Sequence, residues 1–237
     1  DSGVFLLPEN RVETALRPTK DQEFWLREIA KFANQEPGNS IEPYIPASMY
    51  VDRRLLGRDL IAISLAKNVT LSPYLLHVAG NQLFSDQEPN YLEYVESSPK
   101  LLYTMECIKT IRNWHLKRNE PISGVVIYMN IAKDYFPLIQ EYLEKKVGYK
   151  PGEVEIISGG LGLSKERKEE IKDKFLNGEV KIIIGSATIK EGINLQTRST
   201  CLFNLNLDWN PTDIQQLEGR IWRQGNQHSY VRIVTPL

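Results

Sequence analysis

The feature that most constrains the fold of this chain is a regular alternation of short apolar runs and longer polar stretches after Lys100. Most of the runs are rich in Val and Ile, and most of the stretches between them have the length and pattern of helices. The runs are residues 125–129, 154–157, 180–184, 200–205 and 230–234, and the helical stretches are 101–117, 132–146, 165–176 and 212–223. Buried strands that alternate with helices are typical of a parallel sheet. The sequence therefore predicts an α/β fold, with helices on both faces of a mostly parallel sheet.

The first hundred residues lack this alternation and carry helical patterns instead. Phe24, Ile29 and Phe32 recur at helical spacing after a helix start signal of Thr and Asp. A polar stretch that contains Pro89 and Pro99 separates this part from the rest. The predicted domains are a helical lead-in region over residues 1–98 and an α/β domain over residues 99–237.

Composition argues against a disulfide-rich, a metal-binding or a membrane-spanning protein. The chain has 29 basic and 30 acidic side chains, so charge alone does not indicate nucleic-acid binding. Cys107 and Cys201 are too few for a disulfide framework and do not cluster with the three histidines, so we expect neither disulfides nor a protein-bound metal. No apolar run approaches the roughly 20 residues that span a bilayer. We expect no membrane partner and a fragment of a longer cytoplasmic protein, nucleoid-associated if bacterial.

The predicted helix near the end of the chain has two contrasting faces at about 100° per residue. Its apolar face carries Ile214, Leu217 and Ile221, and its polar face carries Gln216, Arg220 and Arg223. Two guanidinium groups one turn apart, with Gly219 reducing the crowding beside them, suit bidentate contact with phosphate oxygens. A solvated face with surface ion pairs is the alternative that this pattern leaves open.

The pattern Gln-x-x-Gly-Arg-x-x-Arg at Gln216, Gly219, Arg220 and Arg223 resembles the sixth motif of superfamily-two helicases. The likeness extends to other motifs of the switch/sucrose-nonfermenting class of DNA translocases, in the same order along the chain. The similar segments are Val125–Asn130 for the fourth motif, Ile157–Gly160 for the turn after the next strand, Gly185–Gln196 for the fifth motif, and Trp209–Pro211 and Arg223–Gln227 on either side of the sixth. The segment 218–226 also resembles helicases of mobile elements that accompany DNA methyltransferases.

This resemblance implies a RecA-like, P-loop NTPase-type sheet that forms the second lobe of a motor working with ATP and Mg. It implies that Arg220 and Arg223 act as arginine fingers on the γ-phosphate of ATP held by an N-terminal lobe. It implies nucleotide-facing or interlobe positions for Gln216, Gly219, Gly192 and Asn194, and nucleic-acid contacts for Ser186, Ser158, Gly159 and Asn130. The implied nucleic acid is double-stranded DNA, and the implied contacts are to its backbone.

The motifs that bind ATP phosphates and Mg²⁺ directly are absent, since neither a Gly-Lys nor an Asp-Glu dipeptide occurs in the chain. We therefore expect this chain alone not to hydrolyse ATP. Two other functions stay open. A methyltransferase is weakly indicated by Asp208–Pro211, although no Gly-x-Gly-x-x-Gly segment accompanies it. The other is a non-catalytic nucleic-acid or protein-interaction module that keeps a degenerate helicase-like fold.

Overall fold

A computed structural model describes most of the chain in two compact units. The described residues are 9–52, 54–77, 88–159, 162–190, 195, 198–206, 215, 216, 218 and 231–236. One unit, here called the sheet unit, comprises Asp1–Leu16 and Tyr103–Leu237. The other, the helical unit, comprises Arg17–Leu102. Among the described residues, no helix is both long and apolar enough to cross a membrane.

The strands and helices follow one another along the chain in a fixed order. They are β1 (Glu9–Thr14), α1 (Lys20–Ala33), β2 (Tyr50–Val51), β3 (Arg54–Leu55), α2 (Arg58–Leu71), α3 (Tyr91–Glu96), α4 (Pro99–Lys117), β4 (Gly124–Tyr128), α5 (Phe136–Tyr142), β5 (Val154–Ile157), α6 (Lys165–Asn177), β6 (Ile182–Gly185), β7 (Ser199–Asn204) and β8 (Val231–Pro236). Short 3₁₀ turns lie at Glu42–Tyr44, Ala47–Met49, Pro73–Leu76, Lys133–Tyr135 and Ala187–Lys190, and a π-helical turn at Leu143–Val147.

The sheet unit contains a six-stranded sheet in the order β1-β8-β7-β4-β6-β5. Neighbouring strands run parallel throughout. Every residue of the central strands β4 and β6 is buried, as expected for a parallel sheet with both faces covered. The predicted α/β fold, a parallel sheet with helices around it, is confirmed.

Helix α6 shows how local sequence places a helix against this sheet. The Ser164 hydroxyl accepts a hydrogen bond from the backbone N–H of Arg167, which caps the first turn. The helix ends at Asn177 and is capped by Gly178, whose φ of 85° suits a residue without a Cβ. Ile171 and Phe175, one turn apart, are the buried residues of the helix and join the core around β4 and β6.

Strand β1 was not predicted from the sequence, which placed this segment in the helical lead-in region. It pairs in parallel with β8, from Glu9 opposite Val231 to Thr14 opposite Pro236. Half-buried Val12 and Thr14 alternate with exposed side chains, the pattern of a strand with one solvated face. The strand has too few apolar residues for a recognisable signal, and its pairing with β8 stabilises it instead. The domain boundary near residue 98 stays a prediction.

The helical unit begins with a capping box at α1. The Thr19 hydroxyl accepts from the backbone N–H of Gln22, and the Gln22 side chain accepts from the backbone N–H of Thr19. The Gln22 amide also donates to the carbonyl oxygens of Val69 and Thr70, which ties α1 to the end of α2. Phe32 and Val69 are fully buried in the core of this unit.

Two carboxylates secure the loops of the helical unit. The Glu28 carboxylate accepts from the Lys31 ammonium at 2.7 Å and from the backbone N–H of Ser40 at 2.7 Å. The Glu42 carboxylate accepts two hydrogen bonds from the Arg58 guanidinium, at 2.7 and 3.0 Å, and one from the Tyr50 hydroxyl. The Lys31 hydrogen bond holds the pKa of Glu28 at about 2, and the Arg58 hydrogen bond does the same for Glu42.

These shifts predict that acid destabilises the helical unit. A carboxyl whose pKa falls from 4.5 to about 2 on folding stabilises the fold above pH 4.5. This contribution is lost as the pH falls from about 4.5 towards 2. We expect the thermal midpoint, followed by circular dichroism, to fall steeply over this range, and less steeply in the Glu28→Gln, Glu42→Gln double variant. The exposed Glu36→Gln variant is the control, and equal slopes for the double variant and wild type would contradict the assignment.

Candidate functional site

Four of the predicted site residues lie directly after the carboxyl ends of parallel strands. Asn130 follows β4, Ser158 and Gly159 follow β5, and Ser186 follows β6. The carboxyl ends of parallel strands meet at one edge of the sheet, which is where such folds bind ligands. The structure therefore brings these four residues to one edge, here called the carboxyl edge.

Asn130 connects three of the loops at the carboxyl edge. Its side-chain oxygen accepts from the backbone N–H of Ala187, after β6, at 3.0 Å. Its backbone N–H donates to the side-chain oxygen of Asn206, after β7, at 3.1 Å. Its amide nitrogen donates to the hydroxyl of Tyr128, a fully buried residue of β4, at 2.6 Å. The predicted nucleic-acid residue Asn130 thus holds the β4, β6 and β7 loops together.

The ends of β5 and β6 are joined through one carbonyl group. The backbone N–H of Ser186 and the hydroxyl of Thr188 both donate to the carbonyl oxygen of Ile157, at 3.2 and 3.3 Å. Ser158 and Ser186 are each only 1% exposed. The Ser158 hydroxyl has no hydrogen-bond partner among the described residues. Gly159, next in the chain, is exposed.

The loop predicted as the fifth motif is anchored at both ends by apolar side chains. Ile189 and Leu195 are buried in the same core as β4 and β6. The hydroxyl of Ser199, at the start of β7, donates to the carbonyl oxygen of Leu195 at 2.7 Å. The predicted residues Gly192 and Asn194 lie outside the described residues.

The described part of the predicted sixth motif is helical at residues 215, 216 and 218. Gln216 is exposed, whereas Glu218 is buried. The guanidinium of Arg11, from β1, binds the Glu218 carboxylate through two hydrogen bonds of 2.6 and 2.7 Å. The predicted residues Gly219, Arg220 and Arg223 lie outside the described residues.

Some residues that make contacts at the carboxyl edge or within the sixth motif were not predicted from the sequence. Tyr128 belongs to an apolar strand, where a core role is the default interpretation. Asn206 stands in a loop that the strand-end rule points to, but nothing in the sequence indicates its contact with Asn130. Arg11 and Glu218 are 207 positions apart, so no local pattern connects them.

The chemistry of the carboxyl edge is that of neutral hydrogen-bonding groups. Asn130 contributes a half-buried amide, Ser158 and Ser186 contribute buried hydroxyls, and Gly159 exposes its backbone. Backbone N–H groups and small polar side chains of this kind bind phosphate oxygens without base specificity. Among the described residues, no three His, Cys, Asp or Glu side chains are grouped as ligands for a metal ion.

Comparison with known proteins gives a family and a fold. Residues 105–225, just over half of the chain, match the helicase conserved C-terminal domain. No curated protein sequence matches the chain. The C-terminal part of the Fun30 ATPase domain is 15% identical with a TM-score of 0.66, over 98% of this chain and 86% of that one.

A second solved structure shares the fold. The Sulfolobus solfataricus SWI2/SNF2 ATPase core, solved in complex with dsDNA, is 22% identical with a TM-score of 0.63. The match covers 97% of this chain and 41% of that one, so this chain spans about two fifths of the length of that core. The predicted resemblance to the C-terminal lobe of a helicase is confirmed by the family match, and both solved structures share the fold. With its match over residues 105–225 and its parallel sheet, the chain belongs to the family of the helicase conserved C-terminal domain.

Proposed function

We propose that this chain is the second motor lobe of an ATP-dependent DNA translocase. In this role it completes the site of ATP bound on an N-terminal lobe and contacts the backbone of double-stranded DNA. The observation that carries the proposal is the hydrogen-bonded carboxyl edge, where Asn130 joins the loops after β4, β6 and β7. A motor lobe needs such a link between its loops. A conformational change in one loop must be transmitted to the others before it can move the lobe along DNA.

The contact with DNA is supported by the groups at the end of β5. Gly159 is exposed, so its backbone is accessible to a phosphate. A buried hydroxyl without a partner costs about 1–3 kcal/mol, and the Ser158 hydroxyl has none among the described residues. A phosphate oxygen is a suitable partner once the Ser158 side chain, 1% exposed in this structure, becomes accessible. The dsDNA in the complex of the Sulfolobus core favours duplex DNA as the ligand.

The contact with ATP is supported by which polar side chains of the sixth motif are exposed and which are buried. Gln216 is exposed and available to a nucleotide. The Glu218 carboxylate is buried and paired with Arg11, so the negative charge of Glu218 does not face the phosphates. Arg220 and Arg223 are the proposed arginine fingers, with Gly219, Gly192 and Asn194 at nucleotide-facing positions. ATP with Mg, held mainly by the N-terminal lobe, supplies the phosphoryl group that is transferred to water.

A charge placed at residue 159 tests the DNA contact. We expect Gly159→Glu to weaken binding of duplex DNA by about tenfold or more, because a carboxylate there repels the phosphate backbone. The control is Asn113→Glu, which adds the same charge at an exposed position on α4. Binding is measured by fluorescence anisotropy at one fixed salt concentration, with two duplexes of unrelated sequence.

The comparison between the two glutamate variants decides the result. The proposal expects Asn113→Glu to bind like wild type and both duplexes to respond equally to Gly159→Glu. Equal affinities for the two variants would contradict a DNA contact at the end of β5. Loss of binding to only one of the duplexes would contradict recognition through the backbone.

A further inference from the structure

The strand that precedes the helicase match makes a direct contact with the sixth motif. The Arg11 guanidinium and the Glu218 carboxylate form two parallel hydrogen bonds, at 2.6 and 2.7 Å. The side chain of Glu218 is only 7% exposed and that of Arg11 is 48% exposed. A bidentate pair of this kind restricts orientation as well as distance. The contact therefore fixes how the helical residues of the motif lie against β1.

The support behind Arg11 is rigid. Its strand is hydrogen-bonded to β8 in a continuous parallel register, with Arg11 opposite Ile233. β8 in turn pairs with β7, so Arg11 projects from the sheet itself. In the sequence Glu218 stands between Gln216 and Arg220, the residues proposed to meet the nucleotide. A restraint on Glu218 is thus a restraint within that motif.

We infer that Arg11 is a positioning residue for ATP hydrolysis, acting through Glu218 on the arginine-bearing sixth motif. The inference rests on the proposed function. Phosphoryl transfer depends strongly on geometry, and a displacement of about 1 Å can cost a factor of about 100 in rate. Without Arg11, the buried Glu218 carboxylate loses its partner and is driven towards water, which moves the motif that carries it. Arg11 itself contacts neither ATP nor DNA in this scheme.

The test is made in the full-length protein that joins this chain to an N-terminal lobe. We expect Arg11→Ala to lower kcat for DNA-stimulated ATP hydrolysis by about ten- to a hundredfold. The KM for ATP and the affinity for DNA should change less than about twofold, since Arg11 touches neither ligand. Arg11→Lys should be intermediate, because lysine keeps the charge but not the two-point contact. The control is Glu13→Ala, an exposed residue on the same strand, which should leave kcat unchanged.

A double-mutant cycle separates this role from general stability. The Arg11→Ala, Glu218→Ala double variant should be no slower than the slower single variant, and the swap Arg11→Glu, Glu218→Arg should recover part of kcat. Fully additive effects would overturn the inference. So would a fall in kcat that matches the loss of folded protein, measured by circular dichroism at the assay temperature.

Arg220→Ala, assayed beside these variants, shows which hypothesis has failed. If Arg220→Ala loses turnover while Arg11→Ala does not, only the role of Arg11 is overturned. If Arg220→Ala keeps normal turnover, the arginine-finger role fails, and the inference drawn from it fails too.

Discussion

Replacement of Arg220 or Arg223 by alanine is expected to lower DNA-stimulated ATP hydrolysis by about 10³-fold or more. Negative charge spreads over the γ-phosphate oxygens during transfer, and a guanidinium fork binds two of them at once. Removing either arginine leaves this charge without its partner. The measurement is steady-state ATP turnover at saturating DNA, in a protein that carries this chain and an N-terminal lobe.

The arginine variants need a control for the loss of a positive charge. Arg118→Ala removes an exposed guanidinium that stacks on the Trp114 ring, 3.9 Å from its centroid, at the end of α4. We expect normal turnover from this variant and normal duplex DNA binding from all three. Unchanged turnover in Arg220→Ala and Arg223→Ala would instead support a non-catalytic module with a helicase-like fold.

Arg220→Lys and Arg223→Lys refine the result. Lysine keeps the positive charge but has no planar fork, so it cannot bind two phosphate oxygens in the same geometry. We expect turnover between that of wild type and that of the alanine variants. Full activity with lysine would show that charge alone suffices and would contradict bidentate contact.

Gly185→Ala is expected to destabilise the sheet unit by about 1–3 kcal/mol. A Cβ at this position would lie 2.4 Å from Cγ2 of Ile189 and 3.3 Å from the carbonyl oxygen of Ile157. Ile189 is fully buried, so it cannot move away without disturbing the core. Because Ile157 also accepts the hydrogen bonds of Ser186 and Thr188, the strain falls directly on the carboxyl edge. The measurement is the free energy of unfolding in urea.

Gly159→Ala is the matched control for this prediction, since it adds the same methyl group at the same edge. Its Cβ would lie 3.5 Å from Cγ2 of Thr188, which is an ordinary contact. We expect its free energy of unfolding to stay within about 0.5 kcal/mol of wild type. Equal unfolding midpoints for the two alanine variants would show that the core around Ile189 adapts, contrary to the geometry.

The central strands could be predicted from the sequence because they are buried on both faces and therefore consist of apolar residues. The predicted run at 125–129 corresponds to β4, and that at 180–184 overlaps β6. The predicted helix over 132–146 was less accurate. Ala132 has a φ of 52°, a 3₁₀ turn follows it, and α5 begins only at Phe136, next to a proline in its first turn. Local backbone geometry of this kind leaves little trace in apolar periodicity.

Motif order and strand ends together predicted the place of Asn130, Ser158, Gly159 and Ser186 at the carboxyl edge, and their contact with nucleic acid stays a prediction. Residues that act through a side chain far away in the sequence could not be predicted. The side-chain oxygen of Asn206 accepts from the backbone N–H of Asn130 across 76 positions of the sequence, and Arg11 binds Glu218 across 207 positions. Such contacts depend on how the chain folds back on itself, which short patterns do not record.

The pairing of β1 with β8 has a consequence for how the protein is made. Glu9 finds its partner Val231 more than two hundred residues further along the chain. On a ribosome, β1 stays unpaired until β8 has been synthesised, which takes of the order of ten seconds or more after β1 at about 5–20 residues per second. Distant parallel pairings also form slowly, because a long loop must close first. The sheet, and with it the meeting of Arg11 and Glu218, is therefore completed only after β8 has been synthesised.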